Sequence, residues 1–299
     1  MQKRLVVAFS FVAVVAVAAP ILFATFSRDV DVERRGVAVT WGLLAEVVYR
    51  LGDGQIEVHQ LIPAGAEVHD WEPTPEAVDL VRRSAIIIYT VEGFDDWALE
   101  LAEGFDVRVV KASEDAPVLL GSEHGHVDPH LWLDISNVKK MVENIAEMLA
   151  AAFPDKRDSI RSNAAKLLEE LDGLDSRLAE GLRPYRGRIF ITQHDAFQYL
   201  ARRYGLEAIG ILGPEEEEPS SSRLAEIYRI IGEAKIGIIY AEDGNISPIL
   251  ESISRDTGVR IGMLYTGEGL ALQDIVDGRG YAELMTRNLD ALVEGFENR

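Results

Sequence analysis

Residues 155–182 read DKRDSIRSNAAKLLEELDGLDSRLAEGL. Ile160, Leu167, Leu171, Leu174 and Leu178 fall on one stripe, while Asp, Glu, Lys and Arg take the rest of the surface. That pattern predicts one long amphipathic helix. Gly173 weakens such a helix by about 1 kcal/mol without breaking it. Pro154 marks its start and Pro184 its end. On both sides the pattern changes to short apolar runs alternating with shorter helical periods. Before it, strands are expected at 37–40, 56–62, 85–89 and 107–110, and helices at 41–51, 75–83 and 137–153. After it, strands are expected at 189–192, 208–212, 236–240 and 260–264, with helices at 196–204, 223–234, 246–257 and 281–296. Such alternation argues for parallel sheets. The expected fold class is therefore α/β, with two similar lobes joined by one long backbone helix. The lobes would span 29–154 and 185–299, with the linking helix at 155–184.

A length of 299 residues suits two ordinary domains. With 47% hydrophobic and 27% charged residues, disorder and coiled coil are excluded for the chain as a whole. Lys and Arg number 30 against 50 Asp and Glu, a formal net charge of −20. Such a chain repels phosphate backbones, so nucleic acid is not an expected partner. The negative charge suits attraction of cations, and equally suits simple solubility. No cysteine is present, which removes disulfides, thiol nucleophiles, cysteine-based zinc sites and a lipid-modified cysteine.

One stretch is long and apolar enough to span a bilayer. Residues 5–26 carry no charge and follow Lys3 and Arg4. As a helix they would measure roughly 33 Å. Residues 1–28 are expected to be a signal peptide or an uncleaved signal anchor. Either places the rest of the chain outside the cytoplasm, as the basic end stays inside.

The six histidines carry the functional argument: His59, His69, His124, His126, His130 and His194. His69 lies in a loop after a strand, His130 in a loop before a helix, and His194 follows strand 189–192 and is expected to open a helix. In open α/β sheets, ligands sit outside the carboxyl ends of the strands. On pattern alone three readings stand: a metal site, catalytic acid–base histidines, or surface histidines without function. His59 alternates within its strand and reads as a packed residue. His124 and His126 belong to a polar loop, as solvated residues or transient metal collectors. Asp128 reads as a turn cap, Asp70 and Asp195 as supporting or capping groups, and Glu215–Glu218 as a solvated loop.

The loops around these histidines resemble those of the zinc- and manganese-binding solute receptors of ABC-type metal importers. One family pattern stands here as Pro63-Ala-Gly-Ala-Glu-Val-His69-Asp-Trp-Glu-Pro73, with Glu67-Val68 and Trp71 departing from it. A second is intact as Asp128-Pro-His130-Leu-Trp132-Leu-Asp134, and a third runs intact from His194 to Leu206. The acidic run before Pro219 and the closing Tyr281 to Asn288 also match. The resemblance implies that His69, His130 and His194 bind one metal ion in the cleft between the lobes. It also implies a carboxylate ligand before the closing helix. Glu268 aligns best, with Asp274 and Asp277 as alternatives.

Three imidazoles with one carboxylate favour Zn2+ over Mn2+, because manganese prefers oxygen-rich sites. The implied role is capture of the ion for an ABC permease by a monomeric receptor, held at the membrane if residues 5–26 remain. The ion is cargo, and no catalysis is expected. A single rigid helix would limit closure to a small tilt. The rival readings are a zinc-dependent hydrolase, which needs one metal position open to water and a base beside it, and a metal-dependent surface adhesin.

Overall fold

Two sheets with the same strand order flank one long helix. In this computed structural model, residues 36–66, 68–69, 71–120, 127–213 and 219–298 are described. The stretch 5–26, Glu67, Asp70, the loop histidines His124 and His126, and the acidic run 215–218 lie outside them. Among the described residues no helix is long and apolar enough to cross a membrane.

The first sheet holds β1 (Gly36–Val39), β2 (Val58–Gln60), β3 (Ser84–Tyr89) and β4 (Arg108–Lys111), in the order β2-β1-β3-β4. The second holds β5 (Ile189–Thr192), β6 (Glu207–Gly210), β7 (Ile238–Glu242) and β8 (Arg260–Leu264), in the order β6-β5-β7-β8. All pairings in both sheets are parallel. Ile86, Ile87 and Ile88 are all buried, as are Ile238 to Glu242. This is the near-continuous burial of strands covered on both faces.

The connecting helices are α1 (Gly42–Gly52), α2 (Pro75–Arg83), α3 (Trp97–Glu103) and α4 (Ile135–Ala152) in the first half. α5 (Arg157–Leu182) follows, then α6 (Gln198–Tyr204), α7 (Ser221–Ala234), α8 (Pro248–Thr257), α9 (Leu272–Val276) and α10 (Tyr281–Glu297). Several starts are written in the sequence. Thr74 accepts from the Ala77 amide with Pro75 in the first turn, and Ser247 does the same for Leu250 ahead of Pro248.

Helix α5 buries Ile160, Ala164, Leu167, Leu171, Leu174, Leu178 and Leu182. It packs against α1, α4 and α10. Each of its buried leucines is worth about 1.5–3 kcal/mol. These side chains share one continuous apolar core with Val37, Trp41 and Trp132 of the first lobe and Phe190, Tyr240 and Met285 of the second. The outer face of each sheet has a smaller core of its own.

Three expectations change. The strand expected at 56–62 is reduced to Val58–Gln60. Its ladder still runs on, with the Leu61 and Ile62 amides donating to Val39 and Thr40. Helices α3 and α9 have no counterpart in the sequence reading. At seven and five residues they are too short for a helical period, and burial of Ala98, Ala102 and Ile275 holds them. Finally, His194 does not open a helix: α6 begins at Gln198.

Candidate metal centre

His69, His130, His194 and Glu268 each offer one donor atom, and these atoms all lie within 4.8 Å of one another. Each arrives on a different loop. His69 follows β2, and its ring meets the Phe94 ring edge-on at 5.5 Å. His130 precedes the short turn Leu131–Leu133 that leads into α4. His194 lies just beyond β5, in a turn where Thr192 Oγ1 donates to the His194 carbonyl at 2.7 Å. Gly210 ends β6 beside this turn. A Cβ there would lie 2.5 Å from the Asp195 nitrogen, so only glycine lets the turn come this close. Glu268 lies between β8 and α9.

His130 is fully buried and His194 nearly so, yet each has one ring nitrogen committed to a carboxylate. Asp128 Oδ1 accepts from the His130 backbone amide at 3.0 Å and lies 2.9 Å from Nδ1. Glu242 accepts from the His194 amide at 3.1 Å through one oxygen and pairs with Nδ1 through the other. An ionised carboxylate only accepts, so both rings carry their proton on Nδ1 and turn Nε2 inward. The two inward nitrogens are 3.2 Å apart. Glu268 Oε1 is 3.4 Å from His130 Nε2 and 3.6 Å from His69 Nε2, and is buried without a hydrogen bond.

A zinc ion with bonds of 2.0–2.1 Å in tetrahedral geometry needs its donors roughly 3.3 Å apart. The separations of 3.2, 3.4 and 3.6 Å are close to that edge.

The electrostatics follow from the packing. Burial alone would lower the pKa of His130, but the Asp128 hydrogen bond and Glu268 outweigh it and raise it to about 10. His194 is shifted upward in the same way, burial being overcome by Glu242. Burial would raise Glu268, but His130 and His69 hold it well below the usual carboxylate range. The cluster therefore holds protons that a metal ion must displace.

The remaining candidates lie elsewhere. Asp274 is half-buried and Asp277 exposed, and they pair with Arg279 at 2.8 and 3.0 Å. Asp195 accepts from Gln198 at 2.5 Å. His59 packs its ring over Gly36 and lies 3.7 Å from Glu57. Asp128 does more than cap a turn, since it holds His130 itself.

Two residues absent from the sequence reading matter here. Glu242 ends β7 and Asp243 follows it, and Asp243 accepts from both the amide (3.2 Å) and the hydroxyl of Thr266 in the Glu268 loop. The available signal was an acidic pair closing a buried parallel strand, at the end where ligands bind.

Two parallel-sheet lobes on a shared helix, with a buried donor cluster between their loops, define a solute-binding receptor fold. The family described as "ZnuA: Zinc-uptake complex component A periplasmic" matches residues 37–295, and the chain belongs to it. It is 33% identical over 273 residues to the "Zinc-binding lipoprotein AdcA" of Streptococcus pneumoniae, covering 86% of this chain and 54% of that protein. The chain thus spans about half the length of that relative. It is 30% identical over 288 residues to the "High-affinity zinc uptake system protein ZnuA" of Bacillus subtilis, covering 90% of each. The crystal structure of the Zn(II)-bound ZnuA-like domain of Streptococcus pneumoniae AdcA superposes with a TM-score of 0.74 at 33% identity. That match covers 88% of this chain and 98% of the domain.

Proposed function

We propose that this protein is an extracytoplasmic receptor that captures Zn2+ as cargo and hands it to the ABC permease of a metal importer. His69, His130, His194 and Glu268 are its ligands in this reading. One observation carries it: two buried imidazoles aim Nε2 at each other across 3.2 Å while carboxylates hold both Nδ1 positions. Two ring nitrogens so placed stay this close only with a proton or a metal cation between them, and the third imidazole and Glu268 complete a four-donor set that a metal ion can take over. Three nitrogens and one oxygen favour zinc over manganese. The relatives named for zinc binding and zinc uptake support the same choice.

One chain supplies all four donors, so a monomer suffices. In this reading residues 1–28 export or anchor the chain, and 29–154 and 185–299 are its lobes, joined by 155–184. The sequence has no cysteine, so attachment would rest on residues 5–26 rather than on lipid as in relatives named lipoproteins. The family is one of solute-binding components, and a four-donor set leaves no position for the water a hydrolase needs.

The test is metal analysis of protein purified without added metal, with chelator-competition titrations of Zn2+ and Mn2+. The expected result is one zinc per chain and tighter binding of zinc. Absence of zinc, or tighter binding of manganese, would overturn the assignment.

A further inference from the structure

We propose that the dipeptide Glu242-Asp243 is the common mount of both ion-binding groups on the second lobe, Glu242 positioning His194 and Asp243 positioning Glu268. The inference rests on the receptor reading above and deepens it.

The two side chains leave the end of β7 toward different loops. The Glu242 carboxylate is 5% exposed and spends both oxygens on His194, one on its amide and one on Nδ1. It therefore fixes where the ring stands and which nitrogen faces inward. The Asp243 backbone is left-handed, with φ of 47°, which turns its side chain away from that of its neighbour. Its amide donates to Leu264 at the end of β8. Its carboxylate accepts from the Thr266 amide and hydroxyl, and the Glu268 amide in turn donates to Thr266 Oγ1 at 3.4 Å. The chain of contacts runs from Asp243 through Thr266 to the Glu268 backbone. Successive residues of one buried strand end thus set the spacing between two donors that are 74 positions apart in the chain.

The site of the mount agrees with the topology. β5 and β7 are the neighbouring strands at which the order of the second sheet reverses, and ligands bind at that crevice. Glu242 is at the carboxyl end of one and His194 just beyond the other.

The experiment uses the full-length protein and reads Zn2+ affinity by chelator competition. Glu242→Gln keeps the shape and removes the charge. Asp243→Asn keeps a residue that tolerates the left-handed backbone. Each is expected to weaken zinc binding about 10–100-fold. A positioning role predicts specific masking. E242Q should add less than about twofold in the His194→Ala background, and D243N less than about twofold in the Glu268→Gln background. D243N should keep its full effect in His194→Ala. The visible spectrum of bound Co2+ should shift in E242Q, as the ring it holds reorients. If E242Q does not fold, Glu242→Asp replaces it in the same cycle with a smaller loss. Equal losses in every background, with an unchanged Co2+ spectrum, would mean general destabilisation and overturn the proposal. If His194→Ala and Glu268→Gln themselves leave zinc affinity unchanged, the receptor reading fails, a result readable without either dipeptide variant.

Discussion

The two lobes share one strand order, and their crevices are used differently. In the second lobe the reversal of strand order at β5 and β7 carries His194, Glu242 and Asp243. In the first lobe the same place, beyond β1 and β3, is sealed. There Asp95 is fully buried and accepts from Thr40 Oγ1 at 2.6 Å and from the Thr90 and Val91 amides, while Thr90 Oγ1 accepts from the Trp41 indole. Burial pushes the Asp95 carboxyl up to about 6 despite these donors. The first lobe instead brings its histidines in on loops after β2 and β4, and His130 takes its carboxylate from two residues away. Topology therefore offers each lobe a crevice, and local side chains decide whether it holds a ligand or a structural carboxylate.

The largest expected effect tests the loop-borne half. His130→Ala should lower zinc affinity by more than the roughly 10–100-fold that a supporting carboxylate is worth, because it removes a donor. His126→Ala should cost far less. Equal losses in calorimetric titration would bring the loop histidine into the site and undo the comparison.

The second expectation is a pH dependence anchored on His130 of the first lobe, with His194 of the second shifted the same way. Because the ion-free protein holds His130 protonated up to about 10, zinc must expel that proton at any lower pH. Apparent affinity should rise about tenfold per pH unit through neutrality and above. The same shift acts on folding. A histidine pKa above its unfolded value of about 6.5 contributes stability that is complete below that pH and lost as pH climbs toward 10. The Tm of the ion-free protein should fall across that window while the increment given by zinc grows. A constant zinc increment between pH 7 and 9 would remove His130 as the anchor.

Third, the seam between the lobes should be intolerant where the long helix is tolerant. A Cβ on Gly42 would lie 2.0 Å from the Leu270 carbonyl oxygen, whereas one on Gly173 meets nothing within 4 Å. Gly42→Ala should destabilise by about 1–3 kcal/mol or more, and Gly173→Ala should stabilise by about 0.5–1 kcal/mol. Calorimetric Tm values of opposite sign check this, and the same sign would contradict the packing. The smallest expected change in zinc affinity belongs to Trp132→Phe, which removes the indole bond to the Thr266 carbonyl. It should cost a few-fold in zinc affinity, about 1 kcal/mol. No loss would mean that the indole bond does not steady the Glu268 loop.

Most of the architecture could be read in the chain because it is periodic: the leucine stripe of α5, and apolar runs such as Ala85–Ile88 and Ile189–Ile191. The three histidine loops were legible for a different reason, since few histidines are available and each follows a strand or precedes a helix. Glu242 and Asp243 were not legible. They are two acids among 50, and their partners lie 48 and 23 positions away, a distance that no local pattern encodes. The turn before α6 escaped for a related reason, as it depends on Gly210 arriving from the next strand.

Glu268 follows the last strand of the second lobe, yet its loop is fastened to both lobes. Asn288 and Asp243 hold Tyr265 and Thr266 from the second lobe. From the first, Trp132 donates to the Thr266 carbonyl at 2.8 Å and Gln60 to the Leu270 carbonyl at 3.1 Å, while Gln60 Oε1 accepts from the Leu272 amide. Only residues 267–269 are left between these fastenings, and Gly267, with φ of 86°, and the exposed Gly269 bracket the glutamate. A rocking motion of the lobes would have to shear bonds at both ends. Moving this short glycine-bounded segment leaves those fastenings in place and costs only its own bonds, from the Glu268 amide to Thr266 Oγ1 and from the Leu270 amide to the Gly267 carbonyl. The carboxylate is thus held as a latch is held rather than as part of a hinge, and loops move on a nanosecond-to-microsecond clock where domains take microseconds to milliseconds.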